Sequence, residues 1–136
     1  MMQSFSVMKI ALGIRMYPGL KAKELSKEIN VSLRNLYALY AEADMYSRSW
    51  LPNLVTKEQL RELSGSALTV LYYLYTAEKG RKREYHIYEL KMSERTFRKA
   101  LRQLRDHKLI EEGTMGKIST FNITPLSPAV LPMHIN

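Results

Sequence analysis

The sequence predicts a mainly α fold in which two three-helix units follow one another and a small β-hairpin closes the second. Three observations predict it. Apolar residues recur at helical spacing through most of the chain. Serine, glycine and proline cut that pattern into short helices. The arrangement around Ser32 returns around Ser93, 61 residues later.

From Phe5 to Met16 the apolar residues Phe5, Met8, Ile10, Leu12 and Ile14 have helical spacing, and Pro18-Gly19 ends the run. A short helix over 21–29 sets Ala22, Leu25 and Ile29 on one face. Asn30-Val31-Ser32 is a turn, and Ser32 caps a helix over 33–45 with Leu36, Leu39, Tyr40 and Ala43 inward. Residues 46–55, with Ser47, Ser49, Pro52 and Asn53, form a linker anchored by Trp50 and Leu51. Thr56-Lys57-Glu58-Gln59 has the capping-box pattern and starts a helix to Leu63. Gly65 breaks it, and Ser66 caps an apolar helix over 67–79 that stops at Gly80. A short helix over 85–90, a turn at Lys91-Met92-Ser93 and a long helix over 94–107 come next. Leu109-Ile110 and 118–123 are strands, with a glycine-containing turn over 111–117 between them. Pro125, Pro128 and Pro132 predict an extended tail. The chain divides into 1–55, a three-helix unit and linker; 56–126, the second unit with its hairpin; and 127–136, the tail.

The repeat extends beyond one serine. V-S-L-R-N-L-Y at 31–37 overlies M-S-E-R-T-F-R at 92–98, so Arg34 meets Arg95, Asn35 meets Thr96 and Leu36 meets Phe97. Tyr40/Leu101 and Ala43/Leu104 continue in phase. Two such matches, each preceded by a long and a short helix, point to a duplicated unit.

Charge is concentrated in the second unit. The 136 residues carry 21 Lys/Arg against 13 Asp/Glu, a net charge of +8. Residues 79–136 hold twelve of the cations and six of the anions, +6 of that total. Such a balance favours a polyanionic partner. There is no cysteine, which removes disulfide scaffolds, zinc fingers and thiol catalysis. The longest nearly apolar run, 67–77, is short of the ~20 residues a membrane span needs. No basic-then-apolar leader opens the sequence, so no signal peptide is expected.

The helix over 94–107 has the two faces a major-groove reader needs. At about 100° per residue, Phe97, Ala100, Leu101 and Leu104 fall on one side, and Arg95, Arg98, Lys99, Arg102 and Arg105 on the other. Ser93, Arg95 and Thr96 sit at its start, where recognition helices meet bases. Arg95 and Arg98 are suited to guanine O6 and N7, while Lys99, Arg102 and Arg105, further along, suit phosphates. In the first unit Ser32, Arg34, Asn35 and Tyr37 hold the corresponding places, with Glu42 and Asp44 near the helix end. That helix either reads bases too or serves as a packing or dimerisation unit.

Residues 66–126 resemble a winged-helix DNA-binding domain, on M-S-E-R-T-F-R-K-A-L-R-Q-L followed by H-K-L-I-E-E and a glycine-bearing hairpin ending in I-T-P-L. Residues 7–45 look like a plain helix-turn-helix, with no wing after it. The resemblance implies a mainly α protein of two tandem helix-turn-helix units, the second a winged helix. It also implies wing-tip contacts to DNA from Lys117 and Thr114, with Glu111 and Glu112 turned away. The function expected is sequence-specific double-stranded DNA binding as a transcriptional regulator, in the cytoplasm at the nucleoid, as a monomer or a homodimer. The alternatives are a protein-interaction module, such as an antirepressor or adaptor, and a plasmid or phage replication-origin or partition DNA binder. His86, His107 and His134 are scattered, and no P-loop, G-x-G-x-x-G, H-E-x-x-H or G-x-S-x-G is present. No catalysis, cofactor, metal, membrane partner or small-molecule substrate is therefore expected.

Overall fold

The computed structural model describes residues 4–126, so the predicted tail over 127–136 lies outside the described residues. Seven helices and one hairpin follow in order: α1 Ser6–Met16, α2 Ala22–Ile29, α3 Leu33–Ser47, α4 Lys57–Glu62, α5 Gly65–Thr76, α6 Arg83–Leu90, α7 Glu94–Asp106, β1 Glu111–Met115 and β2 Ile118–Asn122. The fold is mainly helical with a two-stranded antiparallel sheet.

The helix starts follow local chemistry. Ser32, Thr56, Ser64 and Ser93 each accept the amide of the residue three ahead through their side-chain oxygen. This satisfies one of the orphan donors of a helix N-terminus. Thr56 and Gln59 complete the capping box that their spacing predicts.

The first turn of α5 corrects the sequence reading. Ser64, not Ser66, is the cap, and Gly65 opens the helix instead of breaking the chain before it. A Cβ at Gly65 would stand 2.6 Å from the Phe5 carbonyl oxygen and 2.8 Å from the Ser6 Cα. The glycine is there because α5 meets the start of α1 backbone to backbone. Thr69 Oγ1 seals the same contact by donating to the Phe5 carbonyl at 3.1 Å. The helix also ends earlier than the sequence implies, at Thr76, and Gly80, with φ +85, belongs to the following turn.

Other expectations change as well. Residues 46–55, read as an anchored linker, pack in part against the core. Tyr46 and Ser47 finish α3, and Leu51, Pro52, Leu54 and Val55 are buried. Leu51 is an anchor, but Trp50 is 56% exposed. Tyr40, expected inward, is 41% exposed although its counterpart Leu101 is buried. The hairpin ladder begins at Glu111 and runs to Asn122, leaving only Gly116-Lys117 as the turn. Gly116 takes φ +67 there, as a tight hairpin turn requires. Leu109 and Ile110 precede the strand. Every residue of β1 is exposed, so no alternation of apolar side chains marked it.

The core is one cluster. Val7, Ile10, Ala11 and Leu12 of α1 join Leu25 and Ile29 of α2, Leu36 and Ala43 of α3, Leu60 and Leu63 around α4, and Leu68 and Leu71 of α5. Phe97, Ala100, Leu101 and Leu104 bring α7 onto α5, and Phe121 of β2 closes the edge. Helix α1 packs against α2, α3, α4 and α5.

That central helix also buries two cations that sequence periodicity alone did not flag. Lys9 Nζ donates to the carbonyls of Arg61 at 3.0 Å and Leu63 at 2.6 Å, at the end of α4. Arg15 donates through one terminal nitrogen to Ser47 and Ser49, both at 2.7 Å, at the end of α3. Each cation meets helix-terminal carbonyls, which carry partial negative charge. Burial, helped by the charge of Arg61, pushes the Lys9 ammonium down to about 8 from 10.5. The unfolded chain therefore holds this proton at pH values where the folded chain has lost it, and stability rises with pH through that window. Between pH 7.5 and 9.5 we expect a gain of about 1–2 kcal/mol in urea unfolding. The gain should be absent from Lys9→Met. A flat profile for the parent protein would rule this account out.

Candidate nucleic-acid interface

The surface is organised by α7 and the turn before it. Lys82, in extended conformation, precedes α6, and Lys91 ends it in the left-handed region at φ 55. The Met92 amide reaches back to the Ile87 carbonyl at 3.4 Å. Ser93 then caps α7 by accepting the Thr96 amide at 3.1 Å and donates to Thr96 Oγ1 at 2.9 Å. The α2–α3 turn has the same construction 61 residues earlier. Lys21 is extended, Asn30 is left-handed at φ 58, Val31 reaches the Ser26 carbonyl at 3.0 Å, and Ser32 accepts the Asn35 amide at 3.1 Å. The repeat read in the sequence is thus also a repeat of backbone geometry.

Helix α7 buries Phe97, Ala100, Leu101 and Leu104 and exposes Arg95, Arg98, Lys99, Arg102 and Arg105. The exposed cations fall into two groups. Arg98 is paired with Glu94 at 2.7 Å, one turn earlier, and Arg105 with Glu112 of β1 at 2.7 Å. Arg95, Lys99 and Arg102 have no carboxylate partner among the described residues. They stand at i, i+4 and i+7, one stripe along the helix.

Arg95 and Lys99 line an open groove of about 350 Å³ with Ser64, Ser66, Thr96, Ala100 and Gln103. No carboxylate borders it. Gln103 Oε1 accepts the Ser64 amide at 3.0 Å and so fixes the start of α5 against α7. Two cations, hydroxyls and a side-chain amide make this a donor-rich surface suited to phosphate oxygens.

The hairpin is held to the helices through aromatic and polar contacts. His86 of α6 is buried, with Nδ1 3.0 Å from the Tyr73 hydroxyl and its ring edge-on to Phe121 of β2. Burial pushes the His86 imidazole below its usual range, so it is a neutral core group at pH 7. Lys79 Nζ donates to Asn122 Oδ1 at 3.0 Å. Lys117 sits exposed in the two-residue turn, while Thr114 lies inside the ladder opposite Ser119.

The remaining sequence-derived residues lie apart from this cluster. Ser32, Arg34, Asn35 and Tyr37 are exposed at the start of α3, and no hydrogen bond or ion pair joins them to α7 among the described residues. Where α7 has Arg98 and Arg102, α3 has Tyr37, 66% exposed, and Ala41. Asp44 is occupied by Arg48 at 3.0 Å. Sequence reasoning did not find Ser64, Ser66 and Gln103, because α5 and α7 meet only in the fold. The Glu94–Arg98 pair was readable as an i, i+4 pair; the Glu112–Arg105 pair was not.

No protein-family model matches this chain, and no curated protein or solved structure matches it. Among the described residues no cluster of His, Cys, Asp or Glu could hold a metal ion, and no helix is long and apolar enough to cross a membrane.

Proposed function

We propose that the protein is a sequence-specific double-stranded DNA-binding regulator, of tandem helix-turn-helix build, that lays α7 in the major groove and rests its β-hairpin on the backbone as a wing. The observation that carries this reading is the unpaired stripe Arg95, Lys99 and Arg102 beside a carboxylate-free groove. An α-helix fits the major groove of B-DNA, and cations along it neutralise flanking phosphates. Arg95 and Thr96, at the first turn of a capped helix, are the base readers, and Arg98 joins them when it leaves Glu94. Lys99, Arg102 and the hairpin-tip Lys117 are backbone contacts. Such a regulator works where the DNA is, at the nucleoid.

For α3 a second reading has a specific observation behind it. Beyond Arg34 and Asn35 its outward face carries Tyr37, Ala41 and a 73% exposed Met45. Aromatic and methionine side chains suit protein contacts. On that reading α3 meets a protein, a second copy included, and α7 is the reader. A footprint separates the two cases: Arg34→Ala with Asn35→Ala shortens it at one end only if α3 also reads DNA.

The test is a salt titration of duplex binding. The logarithm of the affinity should fall with the logarithm of salt concentration, with a slope of about −0.9 per phosphate neutralised. Lys99→Gln and Arg102→Gln should each flatten the slope by about 0.9 on every sequence. Arg95→Ala should cost about 1–3 kcal/mol at the preferred site and little elsewhere. A slope of zero for the parent protein would remove the proposal.

A further inference from the structure

We propose that Glu94 and Glu112 are specificity-determining residues: by holding Arg98 and Arg105 in ion pairs, they withhold two cations from the DNA backbone and depress binding to arbitrary sequence. This rests on the DNA-binding reading above and deepens it. Five exposed cations line α7, and the two with carboxylate partners are met from different directions. Glu94 lies one turn ahead on the same helix and Glu112 comes from the hairpin, each oxygen 2.7 Å from its arginine. Local helix preference accounts for the first pair, since glutamate four residues before a cation is the favoured order. It does not account for the second, which needs the hairpin folded against the end of α7.

The chemistry discriminates between two kinds of acceptor. Both pairs are solvent-exposed, with side-chain exposures of 57% and 61% in one and 44% and 33% in the other. Exposed pairs are weakly held and exchange readily. A phosphate that takes an arginine from its glutamate leaves two anions side by side, and like charges repel. A base edge is neutral and leaves no such pair. The Glu94–Arg98 unit matches a G·C step in particular: arginine donates to guanine O6 and N7, and glutamate accepts from the cytosine amino group. Non-specific affinity comes almost entirely from phosphate neutralisation, so each pair subtracts from it while sparing base recognition.

The experiment is fluorescence anisotropy with a random duplex of about 20 base pairs over a salt series, together with thermal unfolding of each variant. Glu112→Gln and Glu94→Gln should each steepen the slope by about 0.9 and tighten binding about eightfold at ~0.1 M salt. The gain of Glu112→Gln should vanish in an Arg105→Gln background, and that of Glu94→Gln in an Arg98→Gln background. A gain that persists there reports mere loss of negative charge and overturns the proposal. So does an unchanged slope in the single variants of a parent that binds duplex with a salt-dependent slope; the DNA reading itself then survives. A parent that binds no duplex at any salt overturns both.

Discussion

Replacing Arg95, Lys99 and Arg102 together by glutamine should reduce duplex affinity by two to three orders of magnitude at ~0.1 M salt while leaving the fold intact. Two contributions set the size. Lys99 and Arg102 each neutralise a phosphate, which contributes a slope of about 0.9, or roughly eightfold at that salt, and losing Arg95 from the base edges adds about 1 kcal/mol or more at the preferred site. The fold should persist because all three side chains are exposed and none has a carboxylate partner among the described residues. Glutamine keeps the length and helix propensity of the stems. The share from Lys99 and Arg102 should shrink toward nothing near ~1 M salt, where the electrostatic term has gone, and the share from Arg95 at the preferred site should remain. The measurement is an anisotropy titration at several salt concentrations beside a thermal melt. An affinity within threefold of the parent at low salt, with the melt unchanged, would show that this stripe does not touch DNA.

Gly65→Ala should be among the most damaging small changes in the protein, with a loss of about 3 kcal/mol. Ordinary helix chemistry predicts the opposite sign, since alanine is the better helix former by about 1 kcal/mol. Here the new methyl would sit 2.6 Å from the Phe5 carbonyl oxygen and 2.9 Å from the Phe5 carbonyl carbon. Those are backbone atoms, so no rotamer change relieves the clash, and α5 must move off α1. Gly19 is the control. It has φ +90 but nothing within 4 Å of a Cβ, so Gly19→Ala should cost only the left-handed backbone penalty, roughly 1 kcal/mol. Urea unfolding of the two variants beside the parent decides the matter. Equal losses would mean that the α1–α5 approach is softer than its geometry implies.

The legible parts of this protein were those governed by neighbours in sequence. Ser32, Ser93 and Thr56 were readable as caps, because a cap needs only its own helix. The buried face of α7 followed from the spacing of Phe97, Ala100, Leu101 and Leu104, and its five outward cations came with it. The 61-residue repeat foretold matching turns, and the structure adds that each holds a left-handed residue, Asn30 in one and Lys91 in the other. What stayed illegible depended on long-range contact. Gly65 looks like punctuation until Phe5 stands beside it. Glu111, Glu112 and Gly113 look like a turn because an exposed strand has no apolar face to announce it. Tyr40 carries the spacing of a core residue, yet α3 is covered on that side only as far as Leu36 and Ala43. The partition of α7 into paired and unpaired cations required Glu112, which reaches Arg105 only once the hairpin has formed.

The buried cations of α1 bear on how the molecule comes apart. Lys9 is solvated by carbonyls of Arg61 and Leu63, more than fifty residues downstream. Arg15 finds its acceptors on Ser47 and Ser49, more than thirty residues away. If the α4–α5 segment departed alone, the Lys9 ammonium would give up both of its carbonyl acceptors, so those hydrogen bonds help to hold the segment on α1. Lys9 thus ties α1 to the end of α4 across residue 56, while Arg15 ties α1 to the end of α3 within the first half of the chain.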